Sequence, residues 1–150
     1  MPCESSFEGY LISDDPARLD VDAIHAYLTR SYWSAGVPRD VIERAVRHSL
    51  CVGLYTAGGE QVGLVRVVTD FATFAWLCDV YVLEAHRGRG LSKALMRVVM
   101  SHPDLRTVRR FTLGTRDAHG LYVQFGFVPV PRPESQMEKR QPQPWQPPPP

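Results

Sequence analysis

The chain has 150 residues, of which 44% are hydrophobic and 22% charged, and its formal net charge is +1 at pH 7. This length suits one domain, and the composition is that of a globular protein, which excludes a disordered or fibrous chain. The longest charge-free apolar run, residues 71–78, is far shorter than the roughly 20 residues of a membrane span. Residues 1–9 lack the basic start and apolar core of a secretory signal, so no membrane association is expected.

Cysteine usage indicates a reducing compartment. The three cysteines, Cys3, Cys51 and Cys78, cannot all pair with one another, and none has C-x-x-C spacing. Zinc ribbons and disulfide scaffolds are therefore disfavoured. No spacing of histidine, cysteine and acidic residues predicts a metal site, and the expected location is the cytoplasm.

Charge is distributed unevenly along the chain. Residues 1–86 carry 6 Arg against 12 Asp or Glu, whereas residues 87–116 carry 7 Arg and 1 Lys against Asp104 alone. A short basic stretch in a near-neutral chain indicates either an anionic ligand at one place or a solvated arginine-rich face. It does not predict a nucleic-acid partner, because that surface usually belongs to a strongly basic domain. The acidic first part fits either a cationic amine substrate or simply a solvated surface.

Apolar periodicity and turn residues predict one strand and two helices before residue 50. The strand covers residues 10–12, and the first helix, capped by Asp20 or Asp22, runs through Tyr32. The second helix begins at Pro38, which suits a first helical turn. Two further strands, residues 50–56 and 61–68, are expected to form a hairpin.

A long apolar strand over residues 73–83 follows, and it should be covered on both faces. The remaining predicted elements are a loop at 84–90, a helix at 91–101, a strand at 109–114, a short helix through Gln124 capped by Asp117 or Thr115, and a final strand opening at 125–127. This order predicts an α/β protein of the α+β kind, with a mixed sheet and helices on both faces.

The folded domain is expected to span residues 5–131. Nine of the 13 prolines lie between Pro129 and Pro150, and proline supports neither a sheet interior nor a continuing helix. Residues 132–150 are therefore predicted to form an extended, polyproline-like or disordered tail, which serves either as a spacer or as a ligand for an aromatic groove of a partner.

The segment with the most chemical information joins the long strand to the following helix. The backbone amides at a helix start, together with the helix dipole, favour a phosphate group. Gly88 and Gly90 would let the backbone approach such a ligand, and Arg87, Arg89 and Lys93 add positive charge. A dinucleotide fingerprint would need glycine at position 93, and a P-loop motif is absent.

Two motifs resemble the GNAT superfamily (GCN5-related N-acetyltransferases). Arg87-Gly88-Arg89-Gly90-Leu91-Ser92 is similar to the family's diphosphate loop, Q/R-x-x-G-x-G/A, and departs from it only at Ser92. Residues 118–127 resemble the family's A-x-x-L-Y-x-x-x-G-F pattern, with Thr115 standing where many members have Asn. The resemblance covers most of residues 8–130, and residues 34–127 also resemble an uncharacterised bacterial subgroup.

The resemblance implies a twisted, mostly antiparallel sheet splayed between the fourth and fifth predicted strands. It implies transfer of an acetyl group from acetyl-CoA to a primary amine, on a small molecule or an exposed protein site, in a ternary complex. Dimers are common among such proteins. The implied cofactor-binding residues are Val80, Val82, Arg87, Gly88, Arg89, Gly90, Leu91, Ser92 and Thr115.

Proton transfer needs a donor and an acceptor. The resemblance implies that Tyr122 protonates the leaving thiolate, and a phenol, with a pKa of about 10, still carries its proton at neutral pH. Asp79 is the predicted proton acceptor, since a carboxylate in an apolar strand is costly unless it is paired or faces a cleft. Asp70, His119 and an ordered water are alternatives, and Asp79 could instead be the structural partner of an arginine.

The acceptor pocket is predicted from aromatic residues. Tyr32, Trp33 and Trp76 could line a pocket for an arylalkyl or bulky amine, with Asp70 nearby, although large aromatics also serve as core residues. The alternative to an enzyme is a non-catalytic acyl-CoA-binding module whose tail contacts a partner.

Overall fold

The computed structural model describes residues 1–146, and its centre is a six-stranded sheet in sequential order. The strands are β1 (Glu4–Phe7), β2 (Tyr10–Ser13), β3 (Leu50–Tyr55), β4 (Gln61–Thr69), β5 (Phe74–Val82) and β6 (Arg110–Leu113). Neighbours from β1 to β5 pair antiparallel, and β5 pairs parallel with β6. The predicted mixed, mostly antiparallel sheet is confirmed.

Four helices accompany the sheet: α1 (Val21–Leu28), α2 (Arg39–Arg47), α3 (Leu91–Met100) and α4 (His119–Tyr122). Of the two predicted caps, Asp20 is the one that begins α1, because its side chain accepts the Ala23 amide at 3.0 Å. This helix ends at Leu28, before the predicted end at Tyr32. Residues 29–38 form the loop between α1 and α2, hereafter the aromatic loop because it carries Tyr32 and Trp33.

Apolar side chains form one cluster on each face of the sheet. Helices α1 and α2 bury Ile24, Leu28, Ile42 and Val46 against one face, together with Tyr81. Helix α3 buries five of its ten residues against the other face. The predicted cover on both faces of β5 holds only toward its C-terminal end, because Phe74 and Trp76 in its first half are exposed on one face.

Two ends of the chain differ from the prediction. The chain forms an unpredicted strand, β1, which pairs with β2 around Glu8 and Gly9, and its mostly exposed residues carry no hydrophobic alternation. The final strand expected at 125–127 is wrong. Phe125 instead closes a 3₁₀ turn, and Gly126 follows at φ +87°, which terminates the turn.

The tail after residue 131 contains a 3₁₀ turn at Pro133–Ser135, and Trp145 packs, half-buried, against the cluster under α1 and α2. Residues 147–150 of the predicted tail lie outside the described residues. Within the described range, no helix is long and apolar enough to cross a membrane.

The sheet opens between β5 and β6. Their pairing runs from Phe74 with Arg110 to Leu77 with Leu113 and then stops. Within the described chain, the second half of β5 therefore has a strand partner only on its β4 side. The predicted splay between these strands is confirmed, and it leaves a cleft that ends at the first turn of α3.

Candidate active site

The floor of the cleft is the second half of β5. Val80 is half-buried and Val82 is buried, and Val82 pairs with Gly63 of β4. Because no strand of the described structure covers the other side of this segment, its backbone can pair with an extended, amide-containing ligand. The resemblance noted in the sequence implied that Val80 and Val82 bind a CoA-type molecule at this position.

The cleft leads to the first turn of α3. Gly90 precedes the helix at φ +76°, and no side chain caps the helix start. The amides of Leu91, Ser92 and Lys93 precede the first intrahelical bond, which Ala94 donates to the Gly90 carbonyl. Gly88 has φ +79° and open space where a Cβ would stand. These uncapped amides and the adjacent glycines fit a diphosphate group.

Cationic side chains around this turn divide into two groups. Arg89 and Lys93 are exposed beside the helix start. Arg87 turns back instead: its Nε donates to the Val82 carbonyl at 2.8 Å, and its Nη2 donates to the Tyr27 hydroxyl at 3.1 Å. The structure therefore places Arg87 as a brace between the end of β5 and α1.

A second brace joins the aromatic loop to the segment that follows β5. Both nitrogens at the end of the Arg30 side chain donate to the Glu84 carboxylate, at 2.9 and 3.3 Å. This bidentate bond lowers the pKa of Glu84 to about 2. The aromatic loop and the end of β5 are thus tied together at the mouth of the cleft.

Tyr122 lies on α4, on the β6 side of the cleft, and its side chain is buried edge-on against Phe127. Burial raises the pKa of Tyr122 to about 12, and Tyr32 and Asp117 act in the same direction. The phenol therefore keeps its proton throughout the neutral range.

Asp79 is buried at the level of the cleft and has two partners. Its Oδ2 accepts a hydrogen bond from Arg66 Nε at 2.6 Å, and its Oδ1 accepts one from Trp33 Nε1 at 2.9 Å. Arg66 also donates to Ser49 Oγ at 3.0 Å. The carboxylate is therefore an ion-pair partner that also fixes Trp33, as one of the two sequence interpretations expected.

A β-bulge in β5 produces this arrangement. Leu64 pairs with Tyr81 and Arg66 with Cys78, so β5 holds one residue more than β4 over this interval. Asp79 takes up the extra length with φ +48°, a conformation that aspartate tolerates better than most residues. The bulge turns the carboxylate toward Arg66 and the aromatic loop.

Two of the predicted substrate residues, Tyr32 and Trp33, form a partly exposed aromatic wall. Tyr32 and Trp33 are in edge contact, with ring centroids 5.0 Å apart. The guanidinium of Arg116 lies 3.8 Å from the centre of the Tyr32 ring. Trp76 is also exposed, and it points to the α1 and α2 face because its neighbours Ala75 and Leu77 belong to the opposite cluster.

The other predicted residues have different surroundings. Asp70 lies in the β4–β5 turn, where its carboxylate accepts the amides of Ala72, Thr73 and Phe74 and the Thr73 hydroxyl. These bonds lower the pKa of Asp70 and leave its oxygens occupied. Thr115 Oγ1 accepts the Ala118 amide at 3.1 Å and so supports the start of α4. His119 is exposed on the first residue of α4.

Sequence reasoning missed Arg66 and Arg116 as members of the site. Arg66 had a detectable signal, because it is the only charged residue in the predicted strand 61–68. Arg116 belonged to the basic stretch, but its position over Tyr32 depends on a contact between residues 84 positions apart. Such a contact has no local signal.

A separate cluster of Cys3, Asp14 and His102 holds metal-type ligand atoms within 4.8 Å of one another. His102 Nδ1 accepts the Asp104 amide, so its Nε2 carries the proton that is donated to Asp14 at 2.7 Å. Both ring nitrogens are thereby used, and the cluster is explained as a link between β2 and the end of α3.

Comparison with known proteins gives the same family by three routes. Residues 47–129 match the model of the acetyltransferase (GNAT) domain. A Gibberella zeae protein whose name places it among the acetyltransferases is 37% identical over 126 residues, which cover 69% of this chain and 71% of that protein.

Solved structures agree with this match. A Xanthomonas campestris pv. campestris structure assigned to the GNAT family is 48% identical with a TM-score of 0.87, covering 91% of this chain and 96% of the other. A Staphylococcus aureus structure, named as a probable acetyltransferase, shares the fold with a TM-score of 0.70 at 23% identity, over 88% and 98% of the two chains. The cleft, the glycine turn and these relatives together show that the chain belongs to the GNAT family of acetyltransferases.

Proposed function

We propose that this protein transfers an acetyl group from acetyl-CoA to a primary amine in a ternary complex. The observation that carries the proposal is the continuity of the cleft: an edge of β5 without a partner strand leads directly into the uncapped first turn of α3. A ligand with an extended, amide-containing arm that ends in a diphosphate would fit these two sites in that order. Acetyl-CoA would supply the activated thioester.

The residues that would hold the acetyl donor are grouped along this path. The backbone of Val80 and Val82 would pair with the pantetheine arm, and the amides that begin α3 would bind the diphosphate. Arg89 and Lys93 are exposed and would add charge, whereas Arg87 braces the loop. The β5 amides could also polarise the thioester carbonyl as it becomes negative.

The proposed reaction is one substitution at the thioester carbon. The amine nitrogen forms the new C–N bond, the C–S bond breaks, and the departing thiolate takes the proton of the Tyr122 hydroxyl. The Tyr122 phenolate then takes up a proton from solvent. The proton lost by the amine passes to water in the cleft, because the carboxylates of Asp79 and Asp70 are held by their partners. In this proposal Asp79 orients Trp33 as part of the acceptor wall.

Replacement of the Tyr122 hydroxyl tests the proton donor. Tyr122→Phe should lower kcat by about 10²-fold, since general acid catalysis contributes at least that much, while the Kd of acetyl-CoA stays within twofold. In the wild type, kcat should not fall between pH 7 and 10 through loss of this proton, because the pKa of Tyr122 is raised to about 12. Turnover of a panel of amines gives kcat, and calorimetric titration gives the Kd of acetyl-CoA.

The matched control is Tyr55→Phe. Tyr55 is another buried tyrosine, and its hydroxyl has no hydrogen-bond partner among the described residues. This control should keep the wild-type kcat. An unchanged kcat in Tyr122→Phe would remove the proposed donor. Binding of acetyl-CoA without turnover of any amine would favour the acyl-CoA-binding module instead.

A further inference from the structure

The C-terminal tail contacts the domain at Trp145. Trp145 is half-buried against the cluster of α1, α2 and the sheet, which includes Val37. Residues 136–142 are exposed on the way to this contact. A proline-rich segment that served only as a spacer would not need an indole seated on the domain.

The local sequence explains how Trp145 is presented. Gln143-Pro144-Trp145-Gln146 forms a tight turn in which the Gln146 amide donates to the Gln143 carbonyl at 3.0 Å. The Gln146 side chain accepts the Gln143 amide at 2.9 Å, which closes the turn a second time. Pro144 occupies the second position, where its fixed φ favours a turn. The turn therefore holds Trp145 at low entropic cost.

The contact point on the domain is Gly36, in the aromatic loop. A Cβ on Gly36 would stand 2.8 Å from the Trp145 carbonyl oxygen, closer than real Cβ contacts allow. Gly36 also has φ +77°, a conformation that favours glycine. The two backbones can approach this closely only because residue 36 has no side chain.

The aromatic loop transmits this contact to the site. The Gly36 amide donates to the Thr29 carbonyl at 2.8 Å, and the Val37 amide donates to the Ser34 carbonyl at 3.0 Å. Three residues before Gly36, Trp33 donates its indole N–H to Asp79. A loop closed by these bonds moves as one unit, so its outer end sets the position of its inner end.

We propose that Trp145 is a positioning residue for the acceptor wall: the turn at residues 143–146 clamps Gly36 and so holds Tyr32 and Trp33 in place over Asp79. This inference rests on the proposed function for its effect on the acceptor, whereas the clamp itself is independent of it. Bound acetyl-CoA would be unaffected, because its proposed path lies along β5 and α3.

Two substitutions test the clamp without reference to activity. Trp145→Ala removes the indole, and Gly36→Ala places a methyl group against the Trp145 carbonyl. Hydrogen exchange of the backbone amides at positions 36 and 37 should become about tenfold faster in both variants. Gly59→Ala is the matched control, because Gly59 has φ +89° and no atom within 4 Å of an added Cβ. It carries similar backbone strain, and loop exchange should stay at the wild-type rate.

A kinetic comparison tests the positioning role. Trp145→Ala should raise the KM of the amine about fivefold, with kcat and the Kd of acetyl-CoA unchanged, and Trp145→Phe should restore most of the loss. Unchanged exchange in Trp145→Ala and Gly36→Ala would overturn the clamp. Faster exchange with an unchanged amine KM would overturn the positioning role. If no amine is turned over at all, the proposed function fails while the exchange result still decides the clamp.

Discussion

Asp79 shows how one residue can join the two halves of the site. It is buried, it occupies a left-handed backbone conformation, and its two oxygens hold Arg66 of β4 and Trp33 of the aromatic loop. Strained residues of this kind are retained where the surrounding contacts fix them, which is often at functional sites. The carboxylate therefore links sheet geometry to the acceptor wall.

The Asp79→Asn variant distinguishes two roles of this residue, as a proton acceptor or as a residue that positions Trp33. The change leaves Arg66, whose side chain is 17% exposed, without its counter-charge, so we expect a loss of about 3 kcal/mol in the free energy of unfolding. If Asp79 positions Trp33, kcat/KM should fall by the same factor at every pH from 6 to 9. Denaturant unfolding and a pH profile of the variant are the measurements.

The double variant Arg66→Met with Asp79→Asn provides the control for stability. Removing the buried charge together with its partner should recover most of the lost free energy. Disappearance of the acidic limb of the profile in Asp79→Asn alone would instead make Asp79 the proton acceptor. An unfolding free energy equal to that of the wild type would contradict the role of the ion pair.

At the level of single residues, the sequence already marked the main candidates for the site. An ionisable residue in an apolar strand marked Asp79, and the two motifs marked Tyr122 and the glycine turn. The sequence could not identify Arg66 as the partner of Asp79, because that pairing depends on one extra residue in β5. Strict alternation of side chains along β4 and β5, without the bulge, would not predict that Arg66 and Asp79 face each other.

At the scale of elements, the β4–β5 hairpin depends on Asp70. Its carboxylate replaces strand bonds at the turn by accepting three amides and one hydroxyl, which is the typical behaviour of aspartate in turns. The hydrogen bond from the Thr73 hydroxyl is the main cause that lowers the pKa of Asp70, and the three backbone amides add to it. The turn also supports Phe74 and Trp76, which follow it on the exposed side of β5.

The lowered pKa of Asp70 predicts a pH-dependent effect on stability. The folded pKa lies below the unfolded value of about 3.9, so the carboxylate stabilises the fold above that value and loses its effect as the pH falls through the folded pKa. Asp70→Ala should therefore lower the Tm at pH 7, and the difference from the wild type should shrink below about pH 4. Thermal unfolding at both pH values measures it.

Glu60→Ala is the comparison for the hairpin. Glu60 is an exposed acidic residue at the β3–β4 turn, and among the described hydrogen bonds only its backbone takes part. Its replacement should leave the Tm unchanged at both pH values. A Tm difference for Asp70→Ala that is equally large at pH 2.5 and pH 7 would contradict the role of the carboxylate charge.

Element prediction succeeded where apolar periodicity was strong. The three strands between residues 50 and 83 and the helix beginning at Leu91 have long apolar patterns, and they lie where the sequence predicted them. The strand β1 and the region after Phe125 lack such a pattern. Their conformation is decided by contacts with β2 and by the left-handed Gly126, which a local pattern does not encode.

For the whole molecule, the open sheet is the feature from which the proposed activity follows. Pairing of β5 with β6 over four residues holds the two halves together, and its end at Leu77 creates the cleft. The basic stretch of residues 87–116 includes α3 and β6. The sequence predicted this asymmetry of charge, but the cleft itself required the sheet.

Calorimetric titration of acetyl-CoA tests the proposal that the glycine turn before α3 binds the diphosphate of this donor. The wild type and Gly59→Glu, which puts the same side chain at a remote glycine of similar φ, should both bind with micromolar affinity. Gly90→Glu should not bind, since its carboxylate would repel the diphosphate at the helix start. Absence of binding to the wild type, or equal binding to Gly90→Glu, would show that the glycine turn does not bind the diphosphate.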